Sequence, residues 1–259
     1  MFERLAGKNT IITGASAGFG KSTALLFAKY GSNLILTARR ENLLQELKDE
    51  ISKINPAVKV HLIKLDVTDH AAINEEFAKL PEWASKIDIL VNNAGLAYGM
   101  DQLKDVPESS IDIMLNTNVK GLIWMAQQVL PKMIEANEGH IINIGSIAGL
   151  TSYPNGSIYA ATKHAVHAIS DALRMETNAT KIRVTELCPG MVKTEFSKVR
   201  FGGDEAKADN VYAGIEPMTG DDIAEMIAFC ATRHQRCVIS NLVCLANGQA
   251  NPFMVHRDL

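Results

Sequence analysis

A tyrosine and a lysine stand four residues apart in Tyr159-Ala160-Ala161-Thr162-Lys163, and Ser146 lies thirteen residues upstream. On a helix, positions four apart share one face, so the phenol and the ammonium can act together. A phenol with a pKa near 10 transfers protons poorly at neutral pH and needs a neighbouring cation that favours the phenolate. Lys163 is suited to that task, and a decrease of about three units corresponds to about 4 kcal/mol of differential stabilisation. By itself Tyr-x-x-x-Lys is common and usually means surface packing. Ser146 changes the reading because it follows the apolar run Ile141 to Ile144, and open α/β sheets place their ligands beyond such strand ends.

The elements around these residues are legible from periodicity. Short apolar and β-branched runs at Asn9 to Thr13, Asn33 to Thr37, Val58 to Lys64, Ile87 to Val91, His140 to Ile144, Ile182 to Leu187 and Cys237 to Val243 predict seven strands. Several are apolar throughout, as expected when helices cover both faces of a parallel sheet. Between the second and third, Leu43, Leu44, Leu47, Ile51 and Ile54 mark an amphipathic helix, and Thr219 with Asp222 marks a capped helix start. The alternation predicts an α/β chain, a doubly wound Rossmann-type fold with a seven-stranded parallel sheet and helices on both faces. With 259 residues, 47% of them apolar, and no dividing linker, the chain reads as one domain over 1–259. The polar stretch 193–216 reads as a substrate lid and 246–259 as a C-terminal tail.

Gly14-Ala15-Ser16-Ala17-Gly18-Phe19-Gly20 joins the first strand to an apolar helix. This order presents backbone N–H groups and a helix N-terminus to a pyrophosphate. Gly14 would permit the tight turn, Gly18 the close approach of the backbone and Gly20 the helix-to-strand contact, with Ser16 and Phe19 in the same loop. The second strand ends in Thr37-Ala38-Arg39-Arg40, where an NAD-binding chain would carry a carboxylate for the ribose hydroxyl. Two guanidiniums suit a 2'-phosphate instead, which favours NADP(H). Cations opening a helix are disfavoured by its dipole, so an anion is expected to compensate them.

Composition excludes other classes. A formal net charge of -3 provides no basic surface for nucleic acid, and no apolar run reaches the roughly 18 residues of a membrane span, so no membrane association is expected. The start of the chain has no export signal, which points to a soluble, cytoplasmic protein. Cys188, Cys230, Cys237 and Cys244 form no Cys-x-x-Cys pair and read as buried thiols, with no metal site.

Taken together, the chain resembles the short-chain dehydrogenase/reductase family, single-domain branch. The resemblance rests on Thr13-Gly14-x-x-x-Gly18-x-Gly20, Asn92-Asn93-Ala94-Gly95, Asn118 in Asn118-Val119-Lys120-Gly121, Ser146, Tyr159-x-x-x-Lys163 and Pro189-Gly190. It implies that Tyr159 is the general acid or base, that Lys163 binds nicotinamide ribose hydroxyls and tunes Tyr159, that Ser146 holds the substrate oxygen, and that Asn118 holds a relay water. It also implies that Asp66 and Val67 border the adenine, that Asn93, Ala94 and Gly95 border the adenosine ribose, and that Pro189, Gly190, Val192 and Thr194 border the nicotinamide.

Within the family, the segments around Gly145-Ser146, Tyr153 to Tyr159 and Thr194 to Phe201 resemble NADP-dependent 3-hydroxy acid dehydrogenases, which oxidise serine and allo-threonine, and sulfoacetaldehyde reductases. That resemblance implies a small substrate and a homotetramer. For an anionic substrate the candidate cations are Arg200 in the lid and Arg257 in the tail, since an anion held away from water needs a cation or fixed N–H donors. His164 and His167, beside Lys163, read as packing residues. Two alternatives stay open: reduction of a larger lipid, steroid or acyl carbonyl, and a non-catalytic NADP(H)-sensing protein.

Overall fold

The computed structural model describes residues 2–258; Met1 and Leu259, the ends of the expected domain and tail, lie outside the described residues. Seven strands alternate with helices along the chain: β1 (Asn9–Thr13), α1 (Gly18–Lys29), β2 (Asn33–Ala38), α2 (Glu41–Ile54), β3 (Val60–Lys64), α3 (His70–Ala78) and β4 (Ile89–Asn92). There follow α4 (Glu108–Leu115), a π-helical turn (Asn116–Gly121), α5 (Leu122–Ala136), β5 (Gly139–Ile144), α6 (Ser157–Glu176) and β6 (Ile182–Pro189). The chain continues through α7 (Glu195–Arg200), α8 (Glu205–Asn210), α9 (Gly220–Ala231) and β7 (Asn241–Cys244).

The strands form one parallel sheet in the order β3-β2-β1-β4-β5-β6-β7. The chain winds outwards from β1 in one direction, then returns to β4 on the other side of β1, which makes the β1/β4 boundary the topological switch point. The central strands are buried on both faces and mostly apolar because successive residues enter different cores. Ile12, Leu34, Leu36 and Ile142 pack against α1, α2 and α9, while Ile11, Ile35 and Ile141 pack against α3, α5 and α6.

Strand boundaries differ from the sequence expectation where side chains take over the pairing. β3 starts at Val60, because the Lys59 N–H is taken by the Asn33 side chain, and β4 starts at Ile89, after an Asp88 whose carboxylate binds Asn9 N–H. β7 starts at Asn241 rather than Cys237, which closes a turn on His234. In α2, Leu44, Leu47 and Ile51 are buried as the period demands, but Ile54 is 47% exposed at the final position. Thr219 and Asp222 form a reciprocal capping box at α9. The cysteines are free; Cys188 and Cys230 are buried, but Cys244 at the end of β7 is half-buried and Cys237 is exposed in that turn outside the sheet, contrary to the expectation of four buried thiols.

The stretch 193–216 is more regular than a loop, since α7 and α8 occupy half of it and Gly202 and Gly203, both at positive φ, turn the chain between them. Tyr212 anchors it by donating to Val192 O at 2.9 Å and sharing a 2.7 Å hydrogen bond with Ser197. The tail folds back on itself, and Gln249, 7% exposed, accepts the Met191 N–H at 2.8 Å.

Candidate active site

A cleft of about 360 Å³ opens along the carboxyl ends of the strands, at the switch point. Thr13-Gly14 leaves β1, Arg39 follows β2, Asp66 and Val67 follow β3, Asn93 to Gly95 follow β4, Gly145-Ser146 follow β5 and Gly190 follows β6, so parallel winding brings distant segments to one rim. Every candidate cofactor residue except Gly20 lines this cleft, as do Ser146, Tyr159 and Lys163.

The glycine loop is shaped by its neighbours. Gly14 and Gly18 have positive φ, and a Cβ at Gly20 would lie 2.5 Å from Gly14 O, so Gly20 acts beneath the cleft by allowing α1 to approach β1. Asn93 Nδ2 donates to Thr13 O at 2.7 Å and Gly14 O at 3.2 Å, and the Thr13 hydroxyl accepts both Asn93 and Ala94 N–H at 2.9 Å. The loops after β1 and β4 are thereby fastened together. Ala17, which precedes α1, offers no side-chain cap, which leaves first-turn N–H donors at a cleft lined by Gly18 and Phe19. Uncapped donors at the positive end of a helix fit a pyrophosphate.

The anions expected beside the two arginines are present. Arg39 Nη1 lies 3.9 Å from Asp66, and Arg40 Nη2 donates to Glu195 at 2.9 Å and to Ser16 Oγ at 3.1 Å. Both guanidiniums are solvated and line the cleft, a charge arrangement that fits an added phosphate. Glu195 opens α7 next to Thr194, which caps that helix and packs near Gly18.

Tyr159 and Lys163 lie one turn apart on α6, with Lys163 Nζ 5.8 Å from the phenol ring centroid. Lys163 is 6% exposed and donates to Ile144 O at 2.7 Å. Burial pushes its ammonium down to about 8, opposed by Cys188 and Glu186. Burial also pushes the Tyr159 phenol above its usual 10, while Arg200 and a Ser146 hydrogen bond pull it down. Desolvation dominates here, and the cation that opposes it is Arg200. Ser146 is 8% exposed and accepts Ala148 N–H at 3.1 Å.

Asn118 sits inside the π turn, 2% exposed, rather than on the cleft wall. Its Oδ1 accepts Leu96 N–H at 2.9 Å, and its Nδ2 donates to Leu96 O at 2.8 Å and Thr162 Oγ1 at 3.0 Å. The side chain thus joins the loop after β4 to the catalytic helix, and π turns of this kind are frequent at functional sites.

The two candidate substrate cations separate. Arg200 lies with its guanidinium carbon 5.1 Å from the Tyr159 ring centroid and 5.4 Å from that of Phe196, donates to the Tyr153 hydroxyl at 2.7 Å, and has a buried Nε without a hydrogen-bond partner among the described residues. Arg200 lines a small pocket that shares Tyr159 with the main cleft, whereas Arg257 lines neither and donates to the carbonyls of Ala213 and Val211. Residue spacing alone missed Tyr153, Phe196 and Glu195 as site neighbours. Glu195 was the most findable, since an anion was expected near Arg40 and this residue adjoins the Thr194 border.

A model of the short chain dehydrogenase family matches residues 8–204. The chain belongs to that family. It is 46% identical over 255 residues to the NADP-dependent 3-hydroxy acid dehydrogenase of Schizosaccharomyces pombe, covering 98% of both chains. It is 41% identical over 250 residues to sulfoacetaldehyde reductase 2 of Chromohalobacter salexigens, covering 96% of this chain and 98% of the relative. Among solved structures, the closed form of a serine dehydrogenase complexed with NADP+ superposes with a TM-score of 0.90 at 42% identity, over 96% of this chain and 100% of the other. Membership in this family places the cleft among oxidoreductase sites.

Proposed function

We propose that this member of the family is an NADP(H)-dependent oxidoreductase that interconverts a small anionic hydroxy compound, a 3-hydroxy acid or an isethionate-like molecule, with its carbonyl form. The observation that carries the anionic part is Arg200, whose buried Nε has no hydrogen-bond partner among the described residues and lies beside the Tyr159 ring. An unpaired buried donor is costly, and a carboxylate or sulfonate would satisfy it while matching the planar guanidinium. Arg200 is preferred to Arg257, whose donors already serve backbone carbonyls of its own chain.

The cofactor, when bound, gives or accepts the hydride. The first turn of α1 with Gly14, Ser16, Gly18 and Phe19 would hold the pyrophosphate, and Arg39 and Arg40 would hold the 2'-phosphate. Asp66, Val67 and Asn93 to Gly95 border the adenosine, and Pro189, Gly190, Val192 and Thr194 border the nicotinamide. Lys163 holds ribose hydroxyls. Ser146 orients the substrate oxygen, and Tyr159 Oη donates a proton to the carbonyl oxygen in reduction and removes it from the alcohol in oxidation. Asn118 positions the relay through Leu96 and Thr162. The enzyme acts as one domain with 193–216 as lid, in the cytoplasm, as a homotetramer; the continuous sheet with its two cores supports the single domain.

The test is kcat/KM for serine, 3-hydroxypropionate, isethionate and an uncharged alcohol of similar size, in wild type and Arg200→Ala. The anions are expected to be preferred by wild type and to lose most of that advantage in the variant. Preference for the uncharged alcohol in wild type would overturn the anionic substrate, and an undiminished preference in the variant would overturn the assignment to Arg200.

A further inference from the structure

Glu186 in β6 takes no part in the chemistry above, yet its carboxyl group is 1% exposed directly beneath it. Its Oε2 is held by His167 Nδ1 at 2.6 Å and by Asn241 Nδ2 at 2.8 Å. Its Oε1 accepts no N–H or O–H donor among the described residues. The carboxyl group lies against the backbone at Gly145, where an added Cβ would come within 3.0 Å of the carboxyl carbon. Lys163 Nζ donates to Ile144 O, the neighbouring residue, so ammonium and carboxylate abut the same Ile144–Gly145 segment. His167 and Lys163 are one turn apart on α6, which ties the carboxylate to the same helix that carries the ammonium.

A buried carboxylate is a costly residue in a strand, and two donors on one oxygen offset only part of that cost. We propose that Glu186 is a positioning residue for Lys163: its fixed negative charge, shielded from water, keeps the ammonium charged at the nicotinamide end of the cleft. His167 and Asn241 keep the carboxylate in place.

The surroundings leave Glu186 as the effective anion. Lys163 faces Glu186 and Cys188 from β6, Tyr159 from its own helix and Asn118 from the π turn. Glu186 faces His167, with Asp171 3.7 Å behind that ring, together with Asn241 from β7 and Cys188 on its own strand. Burial and Glu186 push the Cys188 thiol up to about 12, so it is uncharged at neutral pH and cannot balance an ammonium there. Glu186 opposes the burial that brings Lys163 down to about 8, close to working pH, where a modest loss of support changes its charge.

The coupling itself stands apart from the cofactor reading; only its consequence for NADP(H) rests on the function proposed above. The first measurement is the Lys163 Cε chemical shift in protein labelled with [13C]lysine, titrated with pH and assigned with Lys163→Met. In Glu186→Gln, which retains shape and loses charge, the Lys163 midpoint is expected to fall by about one unit. The second is NADPH affinity by fluorescence: Glu186→Gln is expected to bind within about twofold of wild type near pH 6 and at least about threefold more weakly near pH 8.5. An unchanged Lys163 midpoint overturns the proposal, and so does an equal loss of affinity at both pH values, which marks a merely structural role. A lowered midpoint with pH-independent NADPH binding in both proteins leaves the coupling intact and overturns the ribose role of Lys163. Glu186→Asp, which keeps the charge but withdraws it by one methylene, provides the same reading if Glu186→Gln does not fold: its midpoint is expected to fall by a smaller amount, and no fall overturns the proposal.

Discussion

Arg200 lies 5.1 Å above the ring of Tyr159, which gives a lid residue direct electrostatic contact with the proposed proton donor. The sequence separates them by 41 positions, and they meet because α7 leaves β6 at the strand end towards which the start of α6 is directed. Removing the cation in Arg200→Met leaves burial to push the phenol higher still. Alcohol oxidation needs the phenolate, so the rising limb of its pH profile is expected to move to higher pH. A profile that scales down without moving would deny Arg200 this influence.

Tyr159→Phe removes one oxygen from a ring whose packing on Phe196, 5.6 Å between centroids, is retained. Turnover is expected to fall by about 10²- to 10⁴-fold, the usual worth of a positioned acid or base. NADPH affinity is expected to stay near wild type, measured by fluorescence titration. Retained turnover would refute the assigned mechanism.

Cofactor preference should respond to the two arginines. Arg39 is held only at 3.9 Å by Asp66, and Arg40 is shared between Ser16 and Glu195, so both have donors to offer a phosphate. A charged hydrogen bond contributes roughly 1.5 to 3 kcal/mol, so Arg39→Ala is expected to weaken NADPH relative to NADH by at least about tenfold. Equal losses for the two cofactors would make Arg39 structural.

Acid stability should report His140, which is 2% exposed in β5, with Nε2 on Thr185 at 2.8 Å and Nδ1 buried without a partner among the described residues. Burial, and then Arg183, hold its imidazole well below the usual 6.5. The unfolded chain therefore binds a proton near pH 6.5 that the folded chain refuses, so stability falls as pH drops through that value. The contribution approaches about 1.4 kcal/mol per pH unit below about pH 6. Denaturant unfolding from pH 7.5 to 5 is expected to show that slope, reduced in His140→Gln; an identical slope would locate the acid sensitivity elsewhere.

Local chemistry made much of this molecule readable from its residues. The strands of the sheet centre have no solvent face, so Ile11-Ile12 and Ile141-Ile142 had to be apolar without alternation, and that signal survives in one dimension. The glycines of the first loop are likewise set by the backbone, because Gly14 and Gly18 need positive φ and Gly20 has no room for a Cβ. Tyr159 and Lys163 share a helix face by periodicity alone.

Only the tertiary structure decided the environment of those groups, because desolvation and charge depend on what other segments bring near them. Thus Arg200, not Lys163, emerged as the principal cation opposing the burial of Tyr159. Asn118 turned inwards to fasten Leu96 and Thr162, and Arg257 bonded to its own chain's carbonyls. Glu186 reads along the chain as one of three polar residues, with Arg183 and Thr185, in the sixth strand. Parallel winding seats it behind Gly145, against the segment that receives the Lys163 ammonium, and no spacing rule connects a strand interior to a group on the face of the preceding helix.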